Sequence, residues 1–259
     1  MKERIDILLV ERRLVESRTK AQWLIRNGYA LVNGVEVRKP GKRIDNTSQI
    51  RLKAEFPYIG KGGIKLEAAL AEFSISVKEK VCADIGSSVG GFTDCLLKHG
   101  ALRVYAIDTA TDLLHPSLRC EKMKDRVILL LGVDARLLKS LEEQVDICSV
   151  DVTFASLREI IPNIKNYLKP TGDIISLIKP IFESQFKDEK KFRVIQDPQE
   201  LKRILLDLIS WSIDNGVFPY GVIKSPILGK GGSIEFLIHF KLERAISEFD
   251  YKHIIDLII

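Results

Sequence analysis

Four acids recur where short apolar runs end: Asp84, Asp108, Asp134 and Asp151. Just past the first lies a glycine-rich turn, Gly86, Ser87 and Ser88, followed by Gly90, Gly91 and Phe92. An apolar run that stops at bare backbone and turns into a helix opens a nucleotide-binding α/β sheet. Ligands of such sheets sit over the carboxyl ends of the strands. Asp108, about 20 residues beyond the glycine turn, is placed to hold a ribose diol. Asp134, with Ala135 beside it, follows the third run, where a side chain meets an adenine edge. The spacing G-x-x-x-G-G is not the G-x-G-x-x-G of dinucleotide enzymes, and the chain lacks the G-x-x-x-x-G-K-[ST] loop that cradles a triphosphate. The set suits a ligand with a ribose, an adenine and a positive sulfonium, which describes S-adenosylmethionine. One acid at a strand end can be a helix cap. Four around one glycine turn resist that account.

Two further charges stand inside apolar runs: Lys179 in SLIKPIF and Glu235 in GSIEFLIHF. Charge within a buried sheet needs a partner. Plain structural pairing of Lys179 with Glu235 or Asp151 satisfies that need. The functional alternative gathers Lys65, Asp151, Lys179 and Glu235 around one acceptor hydroxyl. Lys65 falls near the start of a helix, a poor place for a cation unless it is aimed at a site.

These residues need a frame. Apolar runs at 81–85, 103–107, 127–131, 145–150, 173–179, 217–225 and 234–240 read as strands. Helical patterns fall near 64–73, 91–98, 112–119, 135–143, 156–168 and 198–215. Alternation over this length predicts an α/β fold with a seven-stranded, mostly parallel sheet covered on both faces. Only a Pro/Gly-rich connection joins the last two strands, so they should pair as an antiparallel edge. The charged stretch 184–197 reads as a loop able to act as a lid. The apolar residues of 246–259 suit a final helix packed on the sheet better than a membrane-active segment.

Ahead of this frame stands a different region. Ile5, Leu8, Leu9 and Leu14 form one helical stripe, and Ser17 is an N-cap for a second helix that Asn27-Gly28 ends. Asn33-Gly34 between 29–32 and 35–37 signals a hairpin, and 49–52 is another strand. The chain has 259 residues and a net charge of +5, but residues 1–60 carry +6 and the remainder −1. A basic small module beside a neutral large one is the pattern expected of binding to an acidic polymer. Arg4, Arg18, Lys20, Arg26, Lys39, Lys42 and Arg43 are its candidate phosphate ligands. The segment 55–60, with Pro57 and Gly60, reads as a join. The expected division is therefore 1–56, a linker at 57–60, and 61–259.

Cys82, Cys95, Cys120 and Cys148 show no C-x-x-C spacing and the four histidines no ligand spacing, so neither disulfides nor a metal site is expected. Residues 1–6 are charged and no run nears the roughly 20 apolar residues of a membrane span. A cytoplasmic protein is the expectation.

The stretch SRTKAQWLIRNGYALVNGVEVRKPGKRI resembles the alpha-L RNA-binding motif over about 3–54. Together with GKGGIKLEAAL, DIGSSVGGFTDCLLKHGA, VYAIDTATDLLHPSLR, DVTFASL, LIKPIFE and GKGGSIEFL, it makes nearly the whole chain similar to the TlyA family. In that family the motif is fused to a Rossmann-like methyltransferase domain of the FtsJ/RrmJ type. The resemblance implies S-adenosylmethionine-dependent 2′-O-methylation of cytidine in ribosomal RNA, with the ribosomal subunit as partner. It also implies a catalytic set of Lys65, Asp151, Lys179 and Glu235. The chain departs from the family at Thr111-Asp112, where glycines are usual, at Asp134 for Asn, and at Ile181 for Gln. Some relatives are labelled haemolysins, so a membrane-active protein is one competing class. A non-catalytic RNA-binding factor is another.

Overall fold

The computed structural model describes residues 1–184, 194–244 and 250–259. The chain divides into two compact units, Met1–Pro57 and Tyr58–Ile259. Residues 58–60, expected as linker, belong to the second unit: Tyr58 is buried, and a Cβ on Gly63 would sit 2.3 Å from its ring.

In the first unit a short strand β1 (Lys2–Arg4) leads into α1 (Ile5–Glu11) and α2 (Arg18–Arg26). Ser17 caps α2, its hydroxyl accepting from the Lys20 amide. Strands β2 (Ala30–Val32) and β3 (Val35–Val37) form the hairpin, turning through Asn33 and Gly34 at φ 50° and 81°. Both central residues left-handed is the turn whose twist matches a hairpin. Strand β4 (Arg43–Asp45) pairs with β1, and β5 (Ile50–Leu52) with β2. Ile5, Leu8, Leu9, Ala21, Ile25, Ala30, Val37 and Ile44 make the core.

The second unit begins with α3 (Gly62–Glu72). It continues β6 (Val81–Ile85), α4 (Gly91–Lys98), β7 (Arg103–Asp108), α5 (Pro116–Arg119), β8 (Val127–Leu131) and β9 (Val145–Val150). After these come α6 (Leu157–Ile164), β10 (Leu168–Ile178), α7 (Pro180–Glu183), α8 (Pro198–Asp214), β11 (Phe218–Lys224), β12 (Phe236–Lys241) and α9 (Tyr251–Ile258). Among the described residues the sheet has seven strands in the order β11-β12-β10-β9-β6-β7-β8. All are parallel except β12, which runs antiparallel to both β10 and β11. The antiparallel pair β11–β12 thus forms one margin of the sheet. Strand order reverses around β6, the switch point where such sheets bind ligands. Ile255 of α9 is buried, and Ile254, Ile258 and Ile259 pack against the sheet's core.

The helix expected over 135–143 does not form. The Asp134 carboxylate accepts the Arg136 amide, a local turn that competes with helix. Ala135, Leu138 and Leu141 still pack against the core, while Leu137 is left exposed. Most of the expected lid, 185–193, lies outside the described residues.

Candidate active site

The cofactor-side residues gather at the carboxyl ends of β6, β7 and β9. The amides of Gly86 and Ser87 donate to the Ile107 carbonyl at 2.8 and 3.1 Å. Gly86 has φ 83°, and a Cβ there would lie 2.4 Å from the Asp151 carbonyl oxygen. Only glycine fits this crossing. The Asp108 carboxylate is fixed by two amides, Ser88 at 2.7 Å and Ala110 at 2.8 Å. A cavity of about 480 Å³ opens here, lined by Gly86, Ser88, Asp108, Asp134, Ala135 and Asp151 among others.

Not every residue expected at the cofactor faces that space. Asp84 is fully buried, accepting from the hydroxyls of Thr93 (2.6 Å) and Ser149 (3.2 Å). Burial pushes its pKa up to about 7, against those hydrogen bonds. It braces the turn from beneath. Gly90, Gly91 and Phe92 are packing residues too. A Cβ on Gly90 would strike Leu118 at 2.3 Å, and one on Gly91 would lie 3.2 Å from the Gly63 amide. Buried Phe92 lies against Gly62. Asp134 lines the cavity but is forked by the Arg136 guanidinium, which holds its carboxyl below the usual range. The Ser87 hydroxyl oxygen is buried without a hydrogen-bond partner.

The second group of expected residues shares one wall. Lys65, Asp151, Lys179 and Glu235 all line a smaller cavity of about 180 Å³. They stand as two ion pairs. Lys65 Nζ meets Glu235 Oε2 at 2.5 Å with both side chains about 5% exposed, and Lys179 Nζ meets Asp151 Oδ1 at 2.6 Å. The Lys179 ammonium also donates to the Val152 carbonyl (2.9 Å) and the Thr153 hydroxyl (3.0 Å). Asp151 Oδ1, although close to Lys179, is buried and out of line for a hydrogen bond. Topology explains the meeting. Lys179 follows β10, and Glu235 precedes β12, whose reversed direction puts its amino end beside the carboxyl ends of its neighbours. Asp151 and Thr153 line both cavities, so the two adjoin there.

Sequence reasoning missed several wall residues. Lys61 and Lys230 line the smaller cavity. Phe154, largely exposed at φ 69°, meets Phe182 with ring centroids 5.5 Å apart. Phe154 borders the larger cavity and Phe182 the smaller. The repeated Gly-Lys-Gly-Gly at 60–63 and 229–232 was the available signal for the lysines.

The FtsJ-like methyltransferase model matches residues 58–242. The chain belongs to that family. An S4 domain matches residues 3–50. "Hemolysin A" of Brachyspira hyodysenteriae is 40% identical over 240 residues, covering 92% of this chain and 99% of that one. The "16S/23S rRNA (cytidine-2'-O)-methyltransferase TlyA" of Mycobacterium tuberculosis is 32% identical over 250 residues, covering 94% and 92%. A solved structure of a hemolysin candidate from Streptococcus thermophilus superposes with a TM-score of 0.72 at 34% identity, covering 99% of this chain and 94% of that one.

S-adenosylmethionine is the methyl donor of this FtsJ-like chain, and the larger cavity fits it. The bare backbone at Gly86 allows close approach, and the Asp108 carboxylate that lines the cavity is pre-oriented by two amides. A volume near 480 Å³ falls within the range of small-molecule sites.

On the S4 domain the seven expected basic residues separate into two sets. Arg4 and Arg18 are drawn inward by fully buried Asp6, at 2.9 and 3.2 Å, and Gln22 donates to the same carboxylate. Lys20 pairs with Glu16 and lies over the Phe56 ring. The Arg4 and Arg18 contacts are structural ties, because the buried Asp6 carboxylate must be matched. Arg26, Lys39, Lys42 and Arg43 are exposed and have no side-chain partner among the described residues.

Proposed function

We propose that this chain methylates the ribose 2′-hydroxyl of cytidine in ribosomal RNA, acting in the cytoplasm on a ribosomal subunit. The observation that carries the proposal is the pair of lysine–acid contacts around one small cavity that adjoins, at Asp151 and Thr153, the larger one. The relative named a 16S/23S rRNA (cytidine-2'-O)-methyltransferase supports the substrate class.

When bound, S-adenosylmethionine supplies an electrophilic methyl group. The chain's own residues place the hydroxyl and deal with its proton, and for so activated a methyl most of the work is positioning. Lys179 orients the hydroxyl and, as the neutral amine left once its ammonium has given a proton to solvent, takes up the hydroxyl proton as the oxygen–methyl bond forms. The resulting ammonium is held by the Val152 carbonyl, the Thr153 hydroxyl and the Asp151 carboxylate. Asp151 Oδ1 keeps accepting capacity for the hydroxyl itself. Lys65 and Glu235 neutralise one another and fix the back of the cavity. Phe154 and Phe182 at the rim offer a face on which a base can stack. On the S4 domain, Arg26, Lys39, Lys42 and Arg43 bind phosphates.

The test is transfer of labelled methyl from S-adenosylmethionine to isolated ribosomal subunits, followed by mapping of 2′-O-methyl positions. A single methylated cytidine that vanishes in Lys179→Ala is the expected result. No label in RNA from either subunit overturns the proposal. The name Hemolysin A favours a second reading only as a relative's name; among the described residues no helix is long and apolar enough to cross a membrane. The complete quartet disfavours a non-catalytic RNA-binding factor.

A further inference from the structure

The smaller cavity holds more positive charge than its ion pairs consume. Lys61, Lys65, Lys179 and Lys230 line it against Asp151 and Glu235. Glu235 takes Lys65 and Asp151 takes Lys179. Lys61 and Lys230 are left without a carboxylate among the described residues. Lys61 is not an ordinary surface lysine. It is half-buried, and burial, followed by the neighbouring Lys65 ammonium, holds its pKa below the usual lysine value. A cation kept in such a place is costly until an anion joins it.

Lys230, itself exposed, stands on a tight turn over Lys230–Gly232 in which Gly231 and Gly232 have φ 69° and 85°. The two lysines occupy the same tetrapeptide, Gly-Lys-Gly-Gly, at 60–63 and 229–232. Each copy runs almost at once into a quartet member, Lys65 or Glu235. The glycines bring the chain close: a Cβ on Gly229 would lie 2.1 Å from the Glu235 carboxylate, and Gly232 has open space beside it. The same tetrapeptide thus opens α3 in one copy and makes a left-handed turn in the other, and both of its lysines line the wall that holds the quartet.

We propose that Lys61 and Lys230 form a phosphodiester clamp, gripping the RNA backbone phosphate next to the 2′-hydroxyl to be methylated. The proposal rests on the RNA-methylation reading and deepens it. In a nucleotide chain the 3′-phosphate is the nearest anion to the 2′-hydroxyl, so holding one positions the other. The clamp distinguishes a ribose within a polymer from a free nucleoside. Lys61 and Lys230 are positioning residues, since neither is asked to move the proton.

Two measurements on the full chain test this. The first compares binding of cytidine and cytidine 3′,5′-bisphosphate in the presence of S-adenosylhomocysteine. The wild type should prefer the bisphosphate by about tenfold or more, the scale of charge-assisted hydrogen bonds to phosphate. Lys61→Gln with Lys230→Gln should lose that preference, and Lys61→Arg with Lys230→Arg should largely keep it. The second measures methyl transfer to ribosomal RNA against salt. The double glutamine variant should show a higher KM and a salt slope shallower by about 0.7 for a single-stranded phosphate, with cofactor affinity and melting temperature unchanged. A glutamine variant that keeps both the bisphosphate preference and the salt slope overturns the clamp. If the wild type methylates no RNA, the function falls, and the clamp stands or falls on the bisphosphate preference alone.

Discussion

In the proposed mechanism Lys179 is the residue on which the chemistry turns. Lys179→Ala should reduce single-turnover methyl transfer by about 10²–10⁴, the usual cost of a positioned acid–base group. Cofactor affinity and melting temperature should stay close to wild type. Lys179→Arg should fail as well, because a guanidinium keeps its proton and spreads its donors over a wider plane. Near-normal turnover with a lowered melting temperature would make Lys179 a structural partner of Asp151 and nothing more. Asp108→Ala should weaken S-adenosylmethionine binding in calorimetry without unfolding the domain, since its carboxylate is held by the Ser88 and Ala110 amides and faces the cavity. Unchanged affinity would remove it from the cofactor site. Asp84 gives a different signature. Its pKa stands at about 7 in the fold against an ordinary 3.8. The folded chain therefore binds the proton more tightly than the unfolded one, and the stability Asp84 contributes at low pH is lost as pH rises through this window. Asp84→Asn should gain in melting temperature relative to wild type from about pH 4 to 7 and then level off. A difference that does not change with pH would contradict the buried assignment.

At the scale of elements, the sequence showed the sheet well and the irregular parts poorly. Runs such as Val81–Ile85 and Val145–Val150 are apolar throughout most of their length, and a strand buried on both faces leaves that trace. Strands β1 and β4 left none, because their residues, Lys-Glu-Arg and Arg-Ile-Asp, are nearly all charged and make no apolar run. The absent helix at 135–143 reflects the Asp134–Arg136 turn, a local hydrogen bond that overrode propensity. Lys179 and Glu235 were legible because charge inside apolar runs is conspicuous, and the family resemblance joined Lys65 and Asp151 to them. The inward ties of Arg4 and Arg18 were not, since nothing in the sequence shows that Asp6 is buried. The turn after β6 yields its own test. Gly86→Ala would drive a methyl into the Asp151 carbonyl at a left-handed φ, costing about 1–3 kcal/mol in strain. Loss of cofactor binding at a lowered melting temperature is the expected outcome. Wild-type behaviour in both would mean the crossing of β6 and β9 is looser than described.

For the molecule as a whole, the charge division matters most. Residues 1–60 carry +6 and the rest −1. Removing residues 1–57 should cost most of the RNA affinity and flatten its salt dependence, by about 0.9 for each duplex phosphate that is no longer neutralised. Cofactor binding should persist in the remaining unit if that unit folds alone, which its own melting curve reports. Full RNA affinity with an unchanged slope would make the methyltransferase domain the principal RNA reader.

The Lys65–Glu235 pair joins residues 170 positions apart. During synthesis Lys65 leaves the exit tunnel long before its carboxylate has been translated. Until then its ammonium has no Glu235 to meet, and a lone charge resists being enclosed. The nascent chain can assemble the β6–β9 portion early, yet the acceptor cavity closes only when β12 inserts between β10 and β11. A chain stopped before β12 would carry most of the larger cavity's walls but no Glu235, so under the proposed mechanism methyl transfer has to wait until β12 has been translated.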